Sequence, residues 1–162
     1  VGIIGNGRVG SSVAKILKYL NFNVLTYDKN NNKSDLNKIF KRSNIISFHI
    51  NSNKNKNFFN KKNMILCKKD IKIINTSRGE IINEKDLMSF LIKNDKASAF
   101  IDVISNEQIE KNNFQKGVLK FNKNQKNLFI TPHVSGAAID AQKLTEEIVL
   151  LKNMKNEYKK SS

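Results

Sequence analysis

Short β-branched runs alternate along this chain with stretches whose apolar residues recur every three or four positions. Val1–Ile4 reads as a strand, and Arg8–Leu20 as a helix with Val9, Val13, Ile16, Leu17 and Leu20 on one face. Asn23–Tyr27 is a second strand. Ser34 is placed to cap a short helix through Phe40, and Ile45–Phe48 is a third strand. Asn60–Cys67 carries helical spacing, with Cys67 packed inside it, and Lys72–Asn75 is a fourth strand. Asn83 suits the N-cap of a helix from Glu84 to Lys93 that buries Leu87, Phe90 and Leu91. Ala97–Ile101 and Leu128–Thr131 supply the fifth and sixth strands. A long helix over about residues 137–158 presents Ala141, Leu144, Ile148 and Leu151 on its apolar side.

Strands that alternate with helices imply βαβ units, hence a parallel sheet covered on both faces. The predicted architecture is α/β: a doubly wound parallel sheet of about six strands in the order 3-2-1-4-5-6. The stretch from Ser105 to Asn127 reads as long, irregular and polar, a type of loop that is usually functional in compact domains. Asn51–Asn57 reads as a solvated loop. Residue 1 already lies in a core strand, so residues 1–162 are expected to be one domain of a longer protein.

Composition adjusts this picture only slightly. The 162 residues carry 29 Lys+Arg against 14 Asp+Glu, a formal charge of +15. Such an excess suits nucleic acid, but only Arg8, Arg42 and Arg78 are arginines. The lysines lie among many Asn and Ile residues, which share their A/T-rich codons. No Cys/His finger spacing or aromatic stacking platform accompanies the charge, so no nucleic-acid partner is expected. The single cysteine excludes an intramolecular disulfide framework and a clustered-thiolate metal site. No apolar run approaches the roughly 20 residues that span a bilayer, and there is no secretory pattern. The cytoplasm is the default compartment, with neither membrane nor metal implied.

Chemistry concentrates at two places. Gly5-Asn6-Gly7-Arg8-Val9-Gly10 follows a strand and opens a helix. In that context Gly5 permits a tight turn, Gly7 admits a pyrophosphate against the backbone, and Gly10 lets the helix lie close to the sheet. The helix N-terminus then offers N–H groups to phosphate. Asp28 ends the second strand, where a carboxylate accepts from a ribose 2′-OH and repels a 2′-phosphate. NAD is therefore favoured over NADP, although Lys29 beside it tempers the preference. A glycine turn of this kind also serves other adenosine ligands, such as S-adenosylmethionine. At the second place, Arg78 follows strand four, Asp102 and Glu107 follow strand five, and His133 follows strand six. In an open parallel sheet these strand ends border the ligand crevice.

Taken together, Gly2-Ile3-Ile4-Gly5-Asn6-Gly7-Arg8-Val9-Gly10, Ile45–His49, Ile74–Gly79, Ile101-Asp102-Val103 and Thr131–Gly136 resemble the D-isomer-specific 2-hydroxyacid dehydrogenase family. The resemblance runs over essentially the whole chain. It implies a Rossmann-type NAD-binding domain and hydride transfer between NAD(H) and a 2-hydroxy or 2-keto acid. It further implies that Arg78 binds the substrate carboxylate and polarises the carbonyl, a task suited to a planar, permanently charged donor fork. His133 becomes the acid–base group, with Glu107 favouring its imidazolium and raising its pKa from about 6.5. Asp102 orients the nicotinamide, Arg8 and Val9 donate backbone groups to pyrophosphate, and His49 and Ile50 lie near the adenosine. Thr76, Ser77 and Gly136 complete the implied cofactor set, and a homodimer is the implied assembly.

Four positions depart from the family pattern: Gln108 and Asn51 stand where proline is usual, and Val134-Ser135-Gly136 replaces Ile-Gly-Gly. The two proline replacements bear on loop stiffness, not on chemistry. The substrate-side domain of the family is largely absent from the chain, so weak NAD binding and poor turnover are expected of it in isolation. A non-catalytic, NAD-sensing scaffold of the same fold, as in the family's corepressors, is the alternative reading.

Overall fold

The computed structural model of the chain describes residues 1–105, 118, 120–122 and 125–136. The chain divides into two compact units, Val1–Pro132 and His133–Ser162. In the first, β1 (Gly2–Ile4), β2 (Leu25–Tyr27), β3 (Ile45–Phe48), β4 (Lys72–Asn75), β5 (Ser98–Ile101) and β6 (Leu128–Ile130) form one sheet. Every pairing is parallel. The helices are α1 (Arg8–Tyr19), α2 (Lys33–Arg42), α3 (Lys61–Met64) and α4 (Glu84–Lys93), with a 3-10 turn at Gly79–Ile81.

The fold class is the predicted one, but the strand order is 2-1-3-4-5-6, not 3-2-1-4-5-6. The crossover direction reverses one strand earlier than expected, so β3 lies beside β1. Burial explains this. Ile46 and Phe48 of β3 are wholly buried and would be exposed on an edge strand, whereas Leu25, Thr26 and Tyr27 of β2 are only half-buried and tolerate the edge.

Parallel crossovers are right-handed, so the single step from β1 to β2 and the later steps in the opposite direction put their helices on opposite faces. Side chains agree. A Cβ on Gly2 would stand 2.6 Å from Ile39 of α2, whereas one on Gly10 of α1 would stand 3.2 Å from the His49 Cβ. The α2–α4 side holds the main core. There Phe59 packs between Phe40 of α2 and Phe48 of β3, with ring centroids 5.5 and 5.1 Å apart. Ile73, Ala99, Leu87 and Leu91 fill the rest.

The α1 side is covered unevenly. The register aligns Ile3, Ser47, Ile74, Phe100 and Phe129 across the sheet. Ile3 is fully buried and Ser47 is 7% exposed, but Phe100 and Phe129 are 43% and 48% exposed. Their rings stack face to face, with centroids 4.7 Å apart.

Several local expectations change. Helix α1 buries Gly10 and Ala14, while Val9, Ile16 and Leu20 of the predicted stripe are exposed and Val13 and Leu17 half-buried. The two small residues, four apart, bring the helix axis close to the sheet and turn the larger side chains outward. Asn32, not Ser34, is the N-cap of α2. Helix α3 stops at Met64, so Cys67 lies in the turn beyond it. Asn83 caps α4 as predicted, its side chain accepting from the Asp86 N–H. Within the stretch expected to be irregular, Val118 and residues 120–122 are helical, and Val118 joins the core. Glu107 and the long helix expected over 137–158 lie outside the described residues. No helix among the described residues is long and apolar enough to cross a membrane.

Candidate functional site

One step past the C-terminal ends of the strands, the register leaves Asp28, Gly5, His49, Thr76, Asp102 and Thr131 in a row along one rim of the sheet. Backbone bonds carry the ladder onto that row. The Gly5 N–H donates to Tyr27 O at 2.7 Å, His49 N–H to Ile4 O at 2.7 Å, Asp102 N–H to Asn75 O at 2.9 Å, and Thr131 N–H to Ile101 O at 3.1 Å. Five of these six residues are ones that the sequence put at a cofactor site. Between β1 and β3 the crossover direction reverses, which is where open α/β sheets hold their ligands.

The glycine turn occupies that reversal point. Gly5 has φ +101°, and a Cβ there would stand 2.5 Å from His49 O and 2.8 Å from the Ile50 side chain. A Cβ on Gly10 would stand 1.9 Å from Gly5 O. Both glycines are thus demanded by the fold itself, because turn, helix and β3 meet backbone to backbone. Gly7 differs: nothing lies within 4 Å of its would-be Cβ. The backbone there is unobstructed among the described residues. No side chain caps α1, and its first turn holds no acidic residue. Arg8 and Val9 are exposed beside it. The turn is tied to the rim by the Asp28 carboxylate, which accepts from the Asn6 N–H at 3.1 Å and from its neighbour Lys29 N–H at 2.6 Å. His49 Nε2 is 2.9 Å from Ser47 Oγ, and burial lowers the pKa of this imidazole.

The second turn follows β4. Asn75 is almost fully buried, and its side-chain amide does the work of a backbone turn. Its Nδ2 donates to Arg78 O at 2.9 Å, while its Oδ1 accepts from Ser77 N–H at 3.1 Å and Ser77 Oγ at 2.8 Å. Residues 76–78 are thereby held as a rigid loop with Thr76 and Arg78 exposed at the rim. The guanidinium Nη1 donates to Ser77 O at 2.6 Å. Gly79 then passes so near the segment that follows β5 that a Cβ would stand 2.1 Å from the Ile104 carbonyl carbon. Asp102 is buried at the end of β5, and the Thr131 hydroxyl donates to its carboxylate.

His133 and Gly136 belong to the second unit. His133 is exposed and has φ +55°, and nothing lies within 4 Å of a would-be Cβ on Gly136.

Residues 1–135 match the sequence pattern of the D-isomer-specific 2-hydroxyacid dehydrogenase NAD-binding domain. The chain belongs to that family. It is 33% identical to a hydroxypyruvate reductase of Blautia hydrogenotrophica over 172 aligned positions, covering 100% of this chain and 51% of the relative. With a D-3-phosphoglycerate dehydrogenase of Methanocaldococcus jannaschii it shares 29% identity over 92% of this chain and 29% of that one. The chain thus spans about half the length of the first relative and less of the second. Among solved structures it superimposes on the D-lactate dehydrogenase of Lactobacillus jensenii with NAD+, at a TM-score of 0.71 and 28% identity, over 82% of this chain and 44% of that one. The Aquifex aeolicus D-lactate dehydrogenase, complexed with NAD and lactic acid, shares the fold with a TM-score of 0.80 at 23% identity, over 96% of this chain and 53% of that one.

The residues at the rim of this family member fit a dinucleotide. The open Gly7 backbone and the uncapped, acid-free start of α1 suit a diphosphate, and a carboxylate stands at the tip of β2. Two residues that sequence reasoning did not single out also matter here. Asn75 stands in the sequence as the end of a strand and a member of the Ile74–Gly79 block without a role of its own, although a polar residue closing the apolar run Ile73-Ile74 is a signal. Thr131 appeared only within a motif. Its contact with Asp102 joins strand ends 29 residues apart, which local spacing cannot show.

Proposed function

We propose that this chain is the cofactor half of an NAD-dependent oxidoreductase that interconverts a 2-hydroxy acid and its 2-keto acid. The row of rim residues at the strand-reversal point, beside a turn with open backbone at Gly7, carries the reading. Arg8 and Val9 offer backbone N–H groups to the diphosphate, Asp28 accepts from the ribose hydroxyls, and His49 and Ile50 border the adenosine. Thr76, Ser77 and Gly136 line the path, and Asp102, held by Thr131, orients the carboxamide end. The dihydronicotinamide, when bound, supplies a hydride to the carbonyl carbon of the keto acid. Arg78 grips the substrate carboxylate and polarises the carbonyl. His133 delivers the proton that the carbonyl oxygen needs and takes it back in the reverse direction, with Glu107 favouring its protonated form. The carboxylate of Asp28 favours NAD over NADP, and the assembly is a homodimer.

NADH oxidation by the full-length polypeptide against glyoxylate, hydroxypyruvate and pyruvate tests the reading. His133→Ala should lower kcat by about 100-fold or more and leave NADH affinity unchanged. Asp28→Ala should weaken NADH binding and narrow the gap between NADH and NADPH. If the two variants change the same parameter, the assignment of roles fails. NADH binding without turnover of any 2-keto acid would favour the scaffold reading instead.

A further inference from the structure

A cavity of about 400 Å³ lies between α3 and α4, within the size range of small-molecule sites. It is remote from the rim described above. It runs along α4 from Asp86 to Asn94 and ends at the segment around Lys69, and these lead into the N-terminal ends of β5 and β4, whereas the cofactor rim is at the strands' C-terminal ends. Met64, Ile65 and Phe90 make it apolar: Met64 is buried, Phe90 half-buried, and Ile65 is 71% exposed. Lys61, Lys69 and Lys93 stand around them, with Asp86 as the acidic member. One Asp86 carboxylate oxygen already accepts from the Lys61 N–H at 2.8 Å.

The charge has a direction. Asp86, Ser89, Phe90 and Lys93 recur at helical spacing and so follow one face of α4. The acid lies toward the start of that face and Lys93 at its end. Beyond Lys93 a second cavity, of about 450 Å³, shares Lys69, Lys93 and Asn94 and adds Lys96, Asp70 and Asp95. Around Lys69 and Lys93, where the two cavities meet, Lys96 adds to the positive charge and Asp70 and Asp95 offset part of it, which leaves a small cationic excess, and the apolar surface lies between there and Asp86. A net cationic end joined to an apolar trough matches a molecule with one acidic head and a hydrocarbon body.

The geometry points to a binding site for an amphipathic carboxylate, with its head at Lys69 and Lys93 and its hydrocarbon chain along Met64, Ile65 and Phe90. The site is independent of the cofactor rim and of the reaction proposed for it. Calorimetric titration of the protein with sodium octanoate, below its micelle concentration, tests this. Saturable binding of one equivalent is expected, with acetate and octanamide each binding far more weakly. Lys69→Gln and Lys93→Gln should each weaken octanoate by up to about fivefold. Ile65→Ser should weaken it by about tenfold, and Ser89→Trp, which fills the trough from an exposed position, should abolish it. NADH affinity should be unchanged in all four variants. Absence of saturable binding, acetate binding as tightly as octanoate, affinity indifferent to these substitutions, or displacement of octanoate by NADH would each overturn the assignment.

Discussion

Across the sheet in register, the two faces of the same strands meet different surroundings. On the side of α2, α3 and α4, Ile46, Ile73 and Ala99 are wholly buried and three phenylalanines interlock. On the side of α1, burial falls away from β1 toward β6, until Phe100 and Phe129 stack on each other close to half exposed among the described residues. A parallel sheet ordinarily needs cover on both faces. The contrast teaches that the layer that stabilises this domain is not the layer that the proposed function uses. The packed layer fixes the strands, and the sparsely covered layer and its rim carry Gly7, Asp28, His49, Thr76 and Asp102.

The largest expected effect separates the layers directly. Phe59→Ala removes the ring between Phe40 and Phe48 and should cost about 3–5 kcal/mol. Phe100→Ala, on the other face, should cost about 1–2 kcal/mol, because only part of that ring is buried, mostly against Phe129. Urea denaturation of both variants gives the comparison. Equal losses would mean that the second face is as well packed as the first.

Next comes the glycine turn, where fold and ligand can be pulled apart. Gly10→Ala forces a methyl against the Gly5 carbonyl and should lower Tm and NADH affinity together. Gly7→Ala meets nothing, so Tm should hold while NADH affinity falls by about tenfold, the methyl occupying space kept for the diphosphate. If Gly7→Ala binds NADH normally, the diphosphate lies elsewhere.

Asn75→Ala should have an intermediate effect of about 1–3 kcal/mol, since Ser77 and the Arg78 carbonyl would lose their buried partner. Arg78 would then stand on a loosened loop. A loss of stability with no rise in the substrate KM of the full-length protein would separate Asn75 from the site.

How far the sequence alone reached follows from the range of the interactions involved. The glycine turn, Asp28, the bounds of β3, β4 and α4, and the Asn83 cap were all readable, because neighbours along the chain determine them. The strand order was not. Nothing local distinguishes a reversal after β2 from one after β3, and the deciding fact, the complete burial of Ile46 and Phe48, needs neighbours on both sides. The exposed stripe of α1 was misread for a similar reason. Val9, Ile16 and Leu20 are apolar, yet the close approach is made by Gly10 and Ala14. Thr131 gained its partner Asp102 only through the pairing of β5 with β6.

The smallest expected effect concerns His49, which lies where the two layers meet at the rim. It is half-buried beside the glycine turn, and burial disfavours its charged form, holding its pKa below the usual 6.5. In the unfolded chain the imidazole takes up its proton near the ordinary value, so below that pH the unfolded state binds more protons than the folded one. The stability that a neutral His49 contributes is therefore fully present above about pH 6.5. It declines as pH falls from there toward the folded-state pKa, and below that value no more is lost. Carboxylates titrate lower, near about pH 4, which leaves the upper part of this window to histidine. His49→Gln keeps a group able to bond Ser47 Oγ but cannot be protonated. Melting temperatures between pH 7.5 and 5 should fall more steeply for the natural protein than for His49→Gln, because only the natural protein carries this buried imidazole. Parallel curves would show that the imidazole at the rim is as well solvated as one in the unfolded chain, and that the layer facing the cofactor is more open at β3 than its burial indicates.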